Sequence, residues 1–257
     1  MVVLNSAALA RLYHLNSSHV RSRVPDPTEE DDQRPLRFRT YPGSIRVDLP
    51  GRDFELTPAL GDVLKRRRSV RDFHLRQLEL ALVGRLLFAS FGVRGYRRVD
   101  SEWVHDRSVP SAGGLYPLEV YVATQAVETL LDGLYHYDAR AHQLEVRQHG
   151  PVVARLADIA LGQEMISRAN LVIMISAVYQ RTMWKYGARG YRYVWLDAGH
   201  LGQNLYLVAT ALGLGPMSVG GFFDEELNRL LDLPRGEEEV IYLVCVGNGE
   251  EISQGAK

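Results

Sequence analysis

The chain has 257 residues, with 30 lysines and arginines against 31 aspartates and glutamates, for a formal charge of −1. That balance excludes the broad basic footprint of a general nucleic-acid binder, and a single cysteine, Cys245, excludes an intrachain disulfide. No apolar run is long enough to span a bilayer, and the start Met-Val-Val-Leu-Asn-Ser lacks the pattern of a signal peptide. No membrane segment is implied, and a cytoplasmic protein is expected.

Taken in order, residues 1–55 read as an irregular N-terminal segment. It carries an acidic run (Glu29, Glu30, Asp31, Asp32) beside Pro25, Pro27 and Pro35, preceded by a short helix around 7–13. Residues 56–257 read as one domain. Thr57-Pro58 reads as an N-cap with proline in the first helical position, predicting a helix to about Arg67. Leu78, Leu82, Leu86 and Ala89 recur at helical spacing up to Gly92. Strands are predicted at 118–124, 134–137 and 143–147, and a short helix at 152–159. The apolar run at 171–178 predicts a strand covered on both faces. A long helix over 193–212 ends at Gly213. Asp224 caps a further helix to about Leu231, and 240–246 is a last buried strand holding Cys245, an inert core thiol rather than a nucleophile. Ala198, Gly199, Gly202, Ala209 and Gly213 give the long helix a small-residue face, suited to close packing within the monomer or across a dimer axis.

No G-x-G-x-x-G follows a strand, no P-loop is present, Ser218 is not in a nucleophile elbow, and the eight histidines show no zinc spacing. Four other segments could carry chemistry. Lys65-Arg66-Arg67-Arg68-Ser69-Val70-Arg71 puts five cations in seven residues. Such a run is either a solvated basic face or a phosphate site, since guanidinium forks and a hydroxyl suit phosphate oxygens. Pro110-Ser111-Ala112-Gly113-Gly114-Leu115-Tyr116-Pro117 is small-residue chain between prolines, either an ordinary turn or a rigid loop that lies close to a flat ligand. Gly213–Gly221 is a helix cap and turn, or a loop offering backbone N–H groups. In Trp184-Lys185-Tyr186, one of only three lysines stands between aromatics. Either it is desolvated toward a usable base, or it lies over an aromatic surface with its amine in water.

In this order the segments resemble the FMN-dependent nitroreductase superfamily: R-x-S-x-[RK] at Arg67–Arg71, P-S-x-x-x-x-x-P at Pro110–Pro117, and a helix ending G-L-G with a glycine-bearing loop behind it over 211–221. Within it, the sequence most resembles the azoline (thiazoline/oxazoline) dehydrogenases of the streptolysin and microcin type. That resemblance rests on Pro-Ser-Ala-Gly-Gly-Leu-Tyr-Pro-Leu-Glu (110–119), Gly-Leu-Tyr-His-Tyr-Asp (133–138), Lys185-Tyr186 with the following Arg-Gly-Tyr-Arg-Tyr, and Tyr13-His14 with Ser17.

The resemblance implies an α+β nitroreductase-like fold, a central mixed or antiparallel sheet surrounded by helices, working as a homodimer. It implies FMN held by Arg67, Arg68, Ser69 and Arg71 at the phosphate and ribityl chain. Pro110, Ser111, Ala112, Gly113 and Gly114 would lie on the flavin ring from the partner subunit, with Gly220 and Gly221 facing flavin N5. It implies catalytic roles in proton transfer for Lys185 and Tyr186, and no metal. The sequence departs from the wider superfamily in having Gly114 and Tyr116 where nitroreductases often have Asn and Gln. It also reads Gly247-Asn248-Gly249-Glu250-Glu251 where many relatives have a basic residue for the phosphate.

The implied reaction oxidises a peptide-borne thiazoline or oxazoline to the aromatic azole, with hydride transfer to FMN and reoxidation by oxygen. The azoline would come from a separate cyclodehydratase or peptide synthetase. The alternatives are an NAD(P)H-dependent FMN reductase of nitro compounds or quinones and a catalytically silent flavin-fold scaffold.

Overall fold

The computed structural model describes residues 6–19, 35–99 and 102–249. The acidic run Glu29–Asp32, Pro25, Pro27, Glu250 and Glu251 lie outside the described residues. In chain order the elements are α1 (Ser6–Asn16), β1 (Arg46–Asp48), α2 (Leu60–Arg66), α3 (Leu80–Phe91), β2 (Val93–Val99), β3 (Glu102–Arg107), β4 (Leu118–Thr124), β5 (Gly133–Asp138), β6 (Gln143–His149), α4 (Val152–Ile159), β7 (Leu171–Val178), α5 (Gln180–Tyr186), α6 (Ala188–Ala211), β8 (Gly215–Val219), α7 (Asp224–Leu230) and β9 (Glu238–Gly247).

Seven strands form one sheet in the order β1-β6-β5-β4-β7-β9-β8, every neighbouring pair antiparallel. Both faces of its centre are buried, so the strands alternate between two cores. Val120, Val122, Ile173, Ile175, Val244 and Val246 face α3 and α6. Tyr121, Ala123, Val172, Met174, Leu243 and Cys245 face α4 and α7. A period of two through continuously apolar strands is what a doubly covered sheet requires. Burial pushes the Cys245 thiol up to about 12, so it is inert in this core.

Several boundaries differ from the sequence reading. Helix α2 starts two residues beyond Pro58, because the carbonyl of Ala59 is the first to accept helical N–H groups, from Asp62 and Val63. Its neighbour α3 begins after Leu78, which instead bridges to Val127. The long helix starts at Ala188, not Tyr193, and a separate seven-residue helix, α5, precedes it; Gly187 between them has φ +54°. The predicted loop at 213–221 contains strand β8, paired with β9. Residues 93–99 and 102–107 form an unanticipated two-stranded ribbon apart from the main sheet. Inside the first 55 residues, β1 adds an edge strand on β6. The helix predicted around 7–13 extends over Ser6–Asn16, its last carbonyls and the following serines held by Arg192 and Arg189.

A chain of buried charges runs through the sheet. His136 lies between Glu119 (Nε2 to Oε2, 3.2 Å) and Glu145 (Nδ1 to Oε2, 2.9 Å). Arg181 of α5 pairs with Glu119 at 2.6 Å, and Arg46 with Glu145 at 3.1 Å. Burial opposes charge on His136, but its bonds to the two carboxylates outweigh that and raise it to about 9. Glu119 resists the same burial through Arg181 and His136 and sits well below the usual carboxylate range. The sign follows by linkage. The raised histidine contributes stability that is complete below its unfolded value of ~6.5 and is lost as pH rises through about 9. The depressed glutamates contribute above ~4.5 and lose it in acid. His136→Gln leaves two buried carboxylates without their shared cation and is expected to cost roughly 3–5 kcal/mol near pH 6. Thermal melts should show this gap narrowing by about pH 9–10; a gap independent of pH would contradict the assignment.

Candidate functional site

The four segments singled out in the sequence come together in two pairs, each fastened to α6. The first pair joins the arginine segment to the strand after α6. Ser69 Oγ lies 3.0 Å from the hydroxyl of Tyr206, which also accepts the Ser218 N–H at 2.8 Å and lies 3.1 Å from Ser218 Oγ. The Val70 N–H donates to the Pro216 carbonyl at 2.9 Å, and the Arg67 guanidinium stands 5.6 Å over the Tyr206 ring. Arg68 and Arg71 are exposed. Among the described residues no carboxylate pairs with Arg67, Arg68 or Arg71. Just past β8, a Cβ built on Gly220 meets nothing within 4 Å, whereas one on Gly221 lies 3.1 Å from Leu161. The Gly220 amide has no hydrogen-bond partner among the described residues. Beside it opens a cavity of about 480 Å³, walled by Tyr179, Tyr191, Trp195, Phe222 and Tyr242.

Asn248 does not stand free at the end of β9. Its Nδ2 donates to the Arg76 carbonyl (3.2 Å) and to Asn170 Oδ1 (3.1 Å), and its own carbonyl accepts the His74 N–H. The position ties β9 to the segment after the arginines.

The second pair joins the Pro-Ser loop to the Lys-Tyr segment. Ser111 Oγ donates to Asp197 Oδ2 at 2.5 Å and accepts the Tyr116 N–H at 2.9 Å; the Ala112 N–H donates to Asp197 Oδ1 at 3.4 Å. Gly113 (φ +63°) lies so close to Tyr186 that an added Cβ would be 2.5 Å from the phenol oxygen. Gly114 (φ +65°) has open space around it. Tyr186 meets Tyr193 edge to face at 5.1 Å. Burial raises the Tyr186 phenol above its ordinary value, helped by Tyr193 and Asp197, so it keeps its proton at neutral pH. Lys185 is exposed, with Nζ 5.6 Å from the centre of the Tyr186 ring. Its aromatic neighbours therefore do not desolvate it; α5 turns the side chain outward, and the alternative of an amine kept in water over an aromatic surface describes it.

Beneath the loop is a residue the sequence reading missed. Arg107 is 2% exposed, and among the described residues none accepts a hydrogen bond from any of its guanidinium nitrogens. It is held by rings: Phe91 at 4.4 Å, Tyr116 at 4.9 Å and Phe38 at 5.1 Å. Burial pushes it down to about 10. Tyr116 itself has φ +48°, so the end of the Pro-Ser loop is clamped between this cation and Ser111. Asp197 and Tyr206 were also missed. Both follow from helical spacing: each is a polar residue on an inward face of α6, and each is buried.

The small-residue face of α6 splits in two. A Cβ on Gly202 would lie 2.7 Å from the Tyr242 ring of the same chain, so this glycine serves packing within the monomer, while Gly199 faces open space.

The antiparallel sheet carries helices on both faces, and a cationic segment is set against its glycine-bearing edge strand. The Nitroreductase family model matches residues 64–248, and the chain belongs to the nitroreductase family. It is 41% identical over 188 residues to a nitroreductase-family protein of Methanocaldococcus jannaschii, covering 73% of this chain and 90% of that protein. It is 26% identical over 132 residues to the microcin B17-processing protein McbC of Escherichia coli, covering 49% of this chain and 48% of McbC. Among solved structures, a nitroreductase-family protein of Anabaena variabilis superimposes with a TM-score of 0.78 at 29% identity, over 97% of this chain. The chain spans 48% of that protein's length, and also 48% of McbC. Among the described residues no helix is long and apolar enough to cross a membrane, and no group of His, Cys, Asp and Glu could hold a metal ion.

Proposed function

We propose that this chain is an FMN-dependent azoline dehydrogenase, working as a homodimer on a thiazoline or oxazoline carried by a peptide. The observation that carries the reading is the pairing of the four segments on α6. Asp197 and Tyr206 are nine residues apart, which is two and a half helical turns, or about 13.5 Å along the axis and on opposite faces. A single planar ring does not touch loops on both faces of one helix. The arrangement therefore supports a flavin held by the Arg67–Arg71 and Gly220 side of one chain and covered by the Pro110–Gly114 side of another.

The residues fit the group. Nitroreductase-family proteins generally bind flavin, and three arginines that pair with no carboxylate among the described residues, beside Ser69, form the donor set a phosphate needs. Asn248 is taken up by Arg76 and Asn170, so the phosphate rests on the arginines. The open backbone of Gly220 leaves room for a ring, and its N–H, which has no partner among the described residues, is placed to meet it.

Bound there, FMN would supply a hydride acceptor whose two electrons pass on to dioxygen. Aromatisation removes one proton from a ring carbon and one hydride from its neighbour. Tyr186, which keeps its proton at neutral pH, orients the azoline and hydrogen-bonds the charge that develops as the carbon proton leaves. Lys185, exposed over the Tyr186 ring, steers that proton out to the surrounding water. The named processing of microcin by McbC supports a substrate made by a separate cyclodehydratase on a ribosomal peptide; a peptide synthetase is the other source of the same ring.

In anaerobic single-turnover mixing of the FMN-loaded protein with a thiazoline peptide, Lys185→Ala and Tyr186→Phe should each retain FMN and lose at least ~100-fold in rate. Undiminished turnover by both variants would remove the Lys-Tyr pair from the reaction.

A further inference from the structure

We propose that Asp197 is the positioning residue of the active site, holding the Pro-Ser loop and the Tyr186 hydroxyl in one fixed arrangement through Ser111 and the Ala112 amide. The inference rests on the reading above only in giving Tyr186 a part in the reaction. Three elements meet at this carboxylate. From the loop come the Ser111 hydroxyl at 2.5 Å and the Ala112 N–H at 3.4 Å. The end of α5 brings Tyr186, whose hydroxyl lies against Gly113, the residue after Ala112. From α6 comes Asp197 itself, 4% exposed. Ser111 passes the constraint onward by accepting the Tyr116 amide, so one carboxylate orders the loop from Ser111 to Tyr116.

The residue type is informative. A buried carboxylate is costly to desolvate unless donors surround it. Asp197 is raised by burial and held down by Ser111, Ala112 and His200. A neutral asparagine would fasten the loop with less desolvation. What the charge adds is a field on Tyr186. The titratable and charged groups set against that phenol are Lys185 on its own helix and Tyr193 and Asp197 on α6; His200 acts on Asp197, and Arg189 stands 5.8 Å over the Tyr193 ring. Asp197 is the anion of that set, and an anion beside a phenol keeps the proton on oxygen. One side chain thus fixes where Tyr186 stands and keeps it a donor.

Two readouts test this, one of which needs no substrate. In the near-ultraviolet tyrosinate titration, read as the difference from Tyr186→Phe, Asp197→Asn should move the Tyr186 ionisation to lower pH while leaving FMN affinity within about threefold. In single turnover, Asp197→Ala should lose about 100-fold and Ser111→Ala about tenfold, with the double variant no slower than Asp197→Ala alone, since both act through one tether. Asp197→Asn and Ser111→Ala keep the core volume, so the test survives if Asp197→Ala folds poorly. An unmoved Tyr186 titration in Asp197→Asn, or losses from Ser111 and Asp197 that simply multiply, overturns the proposal. A shifted titration in a protein whose unmodified form does not oxidise thiazolines would keep the positioning role and discard the proposed reaction.

Discussion

Gly113→Ala is expected to lose at least ~100-fold in turnover while Gly114→Ala keeps most of it. The two glycines are adjacent, and their φ values of +63° and +65° impose the same left-handed strain on any side chain, about 1–2 kcal/mol each. Their surroundings differ. A Cβ added at Gly113 would press within 2.5 Å of the Tyr186 hydroxyl, but at Gly114 it would enter open space. Tyr186 cannot retreat freely, because Tyr193 stands against its ring. Alanine in place of Gly113 therefore displaces the phenol that orients the azoline, and alanine in place of Gly114 adds strain alone. Thermal melts should place both variants within about 1–2 kcal/mol of each other, so the contrast in turnover isolates the contact. Equal losses at the two positions would mean that Tyr186 contributes nothing at this point of the loop.

The second large effect concerns the arginine segment. Arg67→Ala combined with Arg71→Ala should weaken FMN binding by about 10²–10⁴-fold, since each charged hydrogen bond to a phosphate contributes roughly 1.5–3 kcal/mol. The apoprotein should lose little stability. Arg71 is exposed, and Arg67 contributes one ring contact with Tyr206, worth about 0.5–1 kcal/mol. Flavin titration by fluorescence quenching measures the affinity. An affinity for FMN unchanged in the double variant, with riboflavin bound equally well, would detach the segment from the phosphate.

What could be read from the sequence follows from burial. Strands β4 and β7 and helix α4 begin and end where the patterning predicts, because apolar runs closed by polar or small residues define them. The β2–β3 ribbon carries Arg94, Arg97, Arg98 and Arg107, and Tyr96 and Trp103 lie exposed on it, so it has no apolar alternation to announce it. Strand β8 is five residues containing Gly215 and Pro216, a composition that reads as a turn; it is tolerated because β8 is the edge of the sheet, where a missing N–H breaks no ladder. At the site, the four segments are visible as motifs, but their pairing is not. Ser69 reaches Tyr206 across 137 positions and Ser111 reaches Asp197 across 86. Both anchors sit in α6, where a small-residue stripe draws attention away from them. For Lys185 the sequence leaves two readings open, and the exposed one holds because Tyr186 lies under its amine without covering it.

An azoline dehydrogenase on this fold takes electrons from its substrate, and the visible spectrum of the FMN-loaded protein, recorded anaerobically before and after a thiazoline peptide is added, reads that transfer. The thiazoline should bleach the oxidised flavin band, thiazole should appear in equal amount, and the band should recover on admitting oxygen. A flavin band untouched by thiazoline and oxazoline peptides but bleached promptly by NAD(P)H would contradict that function, and would make this chain a reductase of nitro compounds or quinones.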